Sequence, residues 1–383
     1  MRPTSAVVDL GALAANAAEL ARRAAPAELC AVVKADAYGH GAVAAGRAAL
    51  AGGAARLGVA LVEEGVELRE AGVTAPILLL SEPRPNEMTE VVAYDLRPSV
   101  YSPEGLASAA AAADAADRRL PVHLKIDTGM HRVGARPGEA ALLADAIEAK
   151  HQLRLEGVWT HCAVADEPGN PYTDEQLARY EQVLDVLGAG VGEPPPAPFC
   201  RHAANSALLL GAGRSAASPV CRRSRYDMVR VGIALYGLAP SPALADETDA
   251  LTPAMQLRTQ VAYVKTVAAG EGVSYGLRHR LECDRRIATL PIGYADGVRR
   301  DYGLCGGQVL IRGRRRPVVG VVTMDQLMVD CGPQSEVAVG DEVVLIGAQR
   351  DESIGASEVA ARLDTIPYEV VCDVGRRVRR HYR

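Results

Sequence analysis

Residues 30–41 read Cys-Ala-Val-Val-Lys-Ala-Asp-Ala-Tyr-Gly-His-Gly. The apolar run Ala31-Val32-Val33 delivers one charge, Lys34, into a polar loop with two glycines, and an alanine-rich helix begins near Gly41. This pattern describes a buried strand that ends in a lysine at a strand-to-helix turn, with Tyr38 just beyond. Parallel α/β barrels keep their reactive residues at the carboxyl ends of such strands. The same pattern also fits a lysine whose stem lies along the strand while its ammonium reaches water. Composition bears on the choice. Of 42 Lys plus Arg, only Lys34, Lys125, Lys150 and Lys265 are lysine. A lysine retained in an arginine-rich chain offers what arginine lacks, a primary amine able to deprotonate and attack a carbonyl.

On either side of this stretch, short β-branched runs alternate with Ala/Glu/Arg-rich helical segments. Thr4–Asp9 reads as a short strand ahead of a helix starting near Gly11. Further strands are expected at Leu29–Lys34, Arg56–Ala60, Pro76–Leu80, Leu96–Tyr101, Pro121–Asp127, Leu155–Thr160, Phe199–Ala203 and Met228–Ile233, with helices between them. Eight strand–helix units in the first ~235 residues match a (β/α)8 barrel in number and length. Doubly wound sheets share the alternation but rarely hold eight units in such a span.

The texture changes after Leu238. A Pro- and acid-rich connection leads into strands separated by Gly turns: Met255–Val267, Arg286–Pro291, Gln308–Arg312, Arg316–Thr323, Leu327–Cys331 and Glu342–Ile346, with one short helix at Ser357–Leu363. Gly313 marks a hairpin turn. The expected organisation is therefore a barrel over residues 1–245 and a mainly antiparallel β domain over 246–383.

A formal net charge of −5 gives no electrostatic case for nucleic acid, and aromatics at 4% leave few stacking platforms. The Arg376–Arg383 cluster reads as a solvated tail. None of the eight cysteines pairs in a CxxC spacing, so no metal centre is expected. Neither a signal peptide nor an apolar run of spanning length is visible, which points to a cytoplasmic protein with reduced thiols and no membrane partner.

The chemistry-bearing residues collect at the expected strand ends. Lys125 and Arg132 flank the end of the fifth barrel strand, as reactive groups or as a structural ion network. His161 ends the sixth, as a ligand or as a satisfied structural histidine. His202 to Ser206 end the seventh, and Arg230-Val231-Gly232-Ile233 form the eighth. Loops after strands seven and eight are the usual phosphate corner of a barrel. Asn205-Ser206 can cap a helix, and Gly232 permits close approach of backbone to a ligand. A phosphate at one corner and an amine at the same barrel end together suggest pyridoxal phosphate.

The segments AVVKADAYGHG, LKIDTGMHRVG, THCAVADE, HAANSA, MVRVGIALYGL, GVSYG, GYADG and TMDQ, in that order across nearly the whole chain, resemble the alanine racemase family. The resemblance implies a fold-type III pyridoxal 5'-phosphate enzyme, barrel then β domain, in a homodimer whose sites draw on both chains. Lys34 would hold the cofactor covalently and act as one catalytic base, and Tyr275 from the partner chain as the other. Tyr38 and Ser206, with the backbone of Gly232 and Ile233, would bind the phosphate. His161 would pack beside the ring, and Arg230 would face its nitrogen. Arg132, held by Lys125 (carbamylated in many members), and Met324 would bind the substrate carboxylate. Tyr294 and Asp166 would line the entry channel, with His202 and Asp325 in support.

The implied reaction is interconversion of L- and D-alanine, supplying D-alanine for peptidoglycan. The rivals are a racemase of the same mechanism for serine or a secondary-metabolite amino acid, a related barrel-type decarboxylase, and a non-catalytic cofactor-binding relative. Three departures bear on substrate range. Val321 stands where the family often has arginine, Arg376 aligns with a phosphate-binding tyrosine of some members, and His131 replaces a smaller residue.

Overall fold

The computed structural model describes residues 2–190, 198–214 and 217–383. The chain divides into two compact units. The first, Gly11–Ala37 with Ala42–Thr252, is the barrel. The second combines Met1–Leu10, Tyr38–Gly41 and Pro253–Arg383.

After β1 (Ser5–Val8) come the eight barrel strands: β2 (Glu28–Val32), β3 (Arg56–Val59), β4 (Ile77–Leu79), β5 (Arg97–Val100), β6 (Leu120–Lys125), β7 (Leu153–Trp159), β8 (Cys200–His202) and β9 (Met228–Val231). All pair in parallel in the order β8-β7-β6-β5-β4-β3-β2-β9. Two further backbone bonds, Arg230 N–H to Ala204 O at 2.8 Å and Asp227 N–H to Arg201 O at 3.0 Å, link β9 back towards β8 and nearly close the ring. The strands are buried almost throughout because helices cover the outside while side chains fill the inside. In β6 even His123 and Lys125 are buried. The helices sit where their caps put them. Ser102 accepts from Gly105 N–H to start Pro103–Ala115, and Asn205 accepts from Leu208 N–H to start Ser206–Gly211.

The loop expected after Lys34 is instead a turn of helix, Lys34–Gly39, with the opposite hand: φ is +52° to +53° at Ala35, Asp36, Ala37 and Tyr38. A left-handed turn costs roughly 1–2 kcal/mol for each residue with a Cβ. Side chains of the barrel unit offset part of this. Glu64 accepts from Ala35 N–H at 2.6 Å, and Asp36 accepts from Ala42 N–H at 2.9 Å. Hydrophobic periodicity carries no information about hand, so the sequence did not announce this turn.

The second unit contains β10 (Met255–Gln260), β11 (Tyr263–Val267), β12 (Gly272–Val273), β13 (His279–Arg280), β14 (Arg285–Leu290), β15 (Gln308–Ile311), β16 (Arg314–Val319), β17 (Leu327–Asp330), β18 (Glu342–Gln349), β19 (Glu352–Ile354) and β20 (Arg379–Tyr382). The main sheet runs β11-β14-β17-β16-β15-β18-β10-β1-β20, with β19 beside β18. The hairpin at Gly313 is a two-residue turn with both central residues at positive φ, Arg312 at +54° and Gly313 at +72°.

Four expectations change. The single strand Met255–Val267 is two strands with different neighbours, broken at Val261-Ala262. The Arg-rich end is no free tail, because Arg379–Tyr382 pairs in parallel with Ser5–Val8. Arg380 also donates to the carbonyls of Gly39, Gly375 and Val378. Arg316–Thr323 stops as a strand at Val319, since Gly320 turns the chain at φ +71°. A second short helix, Pro367–Cys372, follows Ala356–Arg362. Among the described residues no helix is long and apolar enough to cross a membrane, and no His/Cys/Asp/Glu cluster could hold a metal.

Candidate active site

Lys34 leaves the end of β2 half-buried, at the first residue of the left-handed turn. Strand β6 presents Lys125 at the same level, 4% exposed, with Nζ 4.2 Å from the centre of the Trp159 ring. Burial, then the nearby charges of Arg230, Arg132 and Lys34, push the Lys125 amine down to about 7, and only Asp127 among its neighbours opposes them. Four basic residues thus meet at one barrel end, with the Asp127 carboxylate opposing them. Such a donor set suits an anionic, phosphate-bearing ligand and a substrate carboxylate.

The loop that carries Arg132 is tied down at several points. Asp127 accepts from Gly129 N–H at 2.9 Å and from His131 N–H at 3.0 Å. Tyr172 donates to Gly129 O at 3.0 Å, and Arg179 to Thr128 O at 2.9 Å. Gly129 is required here: at φ +143° a Cβ would stand 2.4 Å from the Tyr172 hydroxyl oxygen.

Ser206 lies buried opposite the end of β9. Its Oγ accepts from Gly232 N–H at 3.0 Å, which leaves the hydroxyl proton available to donate. The following turn, Ile233–Tyr236, is anchored where Tyr236 donates to Val32 O at 2.9 Å.

Arg230 is 3% exposed. It donates to Thr160 O at 2.7 Å, to Ala203 O at 3.1 Å and to His202 Nδ1 at 2.9 Å, with His161 Nδ1 at 3.3 Å. Burial brings its guanidinium down to about 10, which leaves it cationic at neutral pH. Burial and the Arg230 charge hold both His161 and His202 well below the usual imidazole range, so both are neutral. Asp166 is half-buried in the loop after β7, where Ser241 donates to its carbonyl at 2.6 Å.

The remaining sequence-derived residues belong to the β unit. Tyr38 is buried, with its ring centre 6.0 Å from that of Tyr368; burial pushes the phenol up, so it stays protonated and able to donate. Tyr275 is 72% exposed and Met324 52% exposed. Tyr294 meets the Met324 segment: Tyr294 N–H donates to Thr323 O at 2.9 Å and Ala295 N–H to Met324 O at 3.1 Å. Gly293 permits this, since a Cβ there would lie 2.2 Å from Thr323 O. Arg377 donates to Asp325 at 2.6 Å and reaches Asp296 at 3.4 Å.

Family models match on this scaffold. Residues 8–240 match the alanine racemase N-terminal domain, and residues 254–382 match the alanine racemase C-terminal domain. The chain belongs to the alanine racemase family. The family member from Symbiobacterium thermophilum is 48% identical over 387 aligned residues, covering 100% of this chain and 97% of that one. The crystal structure of alanine racemase from D-cycloserine-producing Streptomyces lavendulae superposes with a TM-score of 0.90 at 40% identity, covering 100% and 97% of the two chains. The histidine racemase from Leuconostoc mesenteroides subsp. sake superposes at 0.87 with 26% identity, covering 100% and 98%.

Sequence reading passed over the groups beneath the family's motifs. His123 sits two residues before Lys125 on β6 and so shares its face, and a histidine inside Leu120-Pro121-Val122-His123-Leu124 was the available signal. Glu156 and Gly157 on β7 also belong to this layer.

Proposed function

We propose that this chain is a pyridoxal 5'-phosphate-dependent isomerase that interconverts L- and D-alanine. The observation that carries the reading is the cation cluster of Lys34, Lys125, Arg132 and Arg230 at the end of the barrel, on a chain whose two halves both match the family.

Lys34 would bind the cofactor through its amine. The protonated Tyr38 and the Ser206 hydroxyl, with the backbone at Gly232 and Ile233, would donate to its phosphate. When bound, the cofactor withdraws electrons from the substrate and makes the Cα–H acidic. Racemisation removes that proton on one face and returns one on the other, so it calls for two opposed proton carriers. Lys34 Nζ would serve the D-enantiomer, and the partner subunit's Tyr275 the L-enantiomer. The prominence of Tyr275 at the surface of one chain supports that assignment, and with it a homodimer. Arg132 would orient the substrate carboxylate, with the partner subunit's Met324 offering its backbone N–H. Arg230 can only donate, so it would offer the ring nitrogen a hydrogen bond and no negative charge, which disfavours side reactions such as transamination. His161 would pack beside the ring. Tyr294 and Asp166 would line the entry, with Lys125, His202 and Asp325 in support. The expected setting is the bacterial cytoplasm, with D-alanine passing to peptidoglycan.

A second reading, a racemase for another amino acid, draws on Val321, buried where the family often carries arginine. A neighbour of the same fold is a histidine racemase. Kinetics on a panel of L-amino acids separates the two: alanine should lead, and alanine ranking well below another substrate overturns the first reading.

A further inference from the structure

A line of buried polar groups runs through the barrel interior beneath the site. Arg230 donates to His202 Nδ1 at 2.9 Å, and His202 Nε2 lies 2.9 Å from His123 Nδ1. His123 Nε2 in turn faces the Glu156 carboxylate at 3.7 Å, a polar contact longer than a hydrogen bond. Glu156 is the meeting point of Arg56, Arg97 and Arg154, and against the cost of burial His123 and the Arg56 guanidinium hold its carboxyl well below the usual range, so it is ionised.

A guanidinium has no acceptor, so the line has one direction. Arg230 donates, so His202 Nδ1 must accept, and its proton must sit on Nε2. That proton points at His123 Nδ1, which must accept in turn. The proton of His123 then sits on Nε2, towards the Glu156 carboxylate. Both imidazoles are neutral, as their burial requires.

The barrel is built around this contact. Gly157 lies beside His123 on the neighbouring strand, and a Cβ there would stand 2.2 Å from His123 Nδ1. The β6–β7 register also shifts between Val122 and His123. The Trp159 ring stacks on His202 at 5.6 Å and 10°, which fixes the plane of the imidazole.

We propose that His123 is a positioning residue for the racemisation site: by accepting from His202 Nε2–H it holds His202 in the tautomer that Arg230 requires, and so helps fix where the guanidinium points. This rests on the proposed function for its effect on turnover, and on hydrogen-bond chemistry alone for the tautomer. Glu156 supplies the negative charge that keeps the His123 proton on Nε2.

The test uses the full chain, labelled with 15N-histidine and reconstituted with pyridoxal phosphate. Ring-nitrogen shifts should show His202 protonated on Nε2 and bare on Nδ1. His123→Leu keeps the bulk and removes the acceptor. It should blur that signature and lower kcat for alanine roughly 10- to 100-fold while KM changes less than about twofold, as expected for a buried donor left unpaired. His123→Asn places an amide oxygen near the Nδ1 position. It should keep the tautomer and hold kcat within about fivefold of the parent. Should His123→Leu fail to fold, Gly157→Ala presses on His123 without replacing it and should lower kcat while sparing KM.

Unchanged His202 shifts and kcat in His123→Leu, or in Gly157→Ala where it stands in, overturn the proposal. So does a loss in His123→Asn as deep as in His123→Leu. The expected shift changes together with racemisation of some other amino acid would support His123 and overturn only the alanine reading.

Discussion

The Ser274 hydroxyl donates to the carbonyl of Val321 at 2.7 Å, which ties the loop bearing Tyr275 to the segment that leads to Met324. The backbone around the tie is unusual, with positive φ at Ser274 (+66°), Gly276 (+74°) and Leu277 (+48°). At Gly320 a Cβ would stand 2.6 Å from Val273 O, so that glycine lets the two segments touch. Ser274→Ala removes the tie and leaves the phenol in place. Exchange of the α-proton of L-alanine into deuterated water should slow about two- to tenfold, the worth of one hydrogen bond, with D-alanine affected less. Equal effects on both enantiomers would remove Ser274 from any role in aiming Tyr275.

Lys34→Ala should abolish exchange from both enantiomers, since on the proposed assignment it deletes both the cofactor anchor and a base. Tyr275→Phe should slow exchange from L-alanine by at least roughly 100-fold and act more weakly on D-alanine. Comparable losses from the two enantiomers in Tyr275→Phe would contradict the assignment of opposed bases.

Lys125 gives a pH signature. Burial and the neighbouring charges bring its amine down to about 7 in the folded chain, below the ordinary 10.5, so between these limits the unfolded chain binds the proton more tightly. Stability should therefore rise with pH across that window, and each unit of depression is worth about 1.4 kcal/mol. Lys125→Met removes the term. Melting at pH 6 and pH 10, in buffers freed of bicarbonate, should show the variant gaining most at pH 6 and little at pH 10. A gain independent of pH would mean that Lys125 is not neutralised by its surroundings.

Trp159, the one tryptophan, lies under two cations, Lys125 at 4.2 Å and Arg230 at 4.4 Å, and its N–H donates to Ser99 Oγ at 3.1 Å. Trp159→Phe keeps an aromatic face but loses the donor and the larger π surface. Chemical denaturation followed by circular dichroism should show a loss of about 1–3 kcal/mol. A neutral result would mean that the indole is only a spacer.

The barrel was legible because each parallel strand is a short apolar run bounded by a helix, and β2 through β9 fall within a few residues of where those runs stand. Lys34, Lys125 and Arg230 stood out as charges at the ends or inside of such runs. Two kinds of information were missing. The hand of the turn at Ala35–Tyr38 depends on tertiary contacts that no residue pattern encodes. The pairing of Ser5–Val8 and Arg379–Tyr382 joins segments hundreds of residues apart, so arginine-rich composition at 376–383 read as solvent-facing when its backbone is laddered. His123 was missed for a simpler reason. It stands inside an apolar strand, and the partners that distinguish it, His202 and Glu156, come from other strands.

Because β1 lies between β10 and β20, the second unit is assembled from opposite reaches of the chain, with nearly the whole barrel inserted between them. On a ribosome β1 has neither of these neighbours until Met255–Gln260 emerges, and its second edge stays open until Arg379–Tyr382 follows. At usual elongation rates that leaves Ser5–Val8 with an open edge for roughly 20 to 75 seconds. By Thr252 every residue of the barrel unit has been made, while β1 is still unpaired. The order of synthesis therefore puts the barrel's residues ahead of the two strands that flank β1.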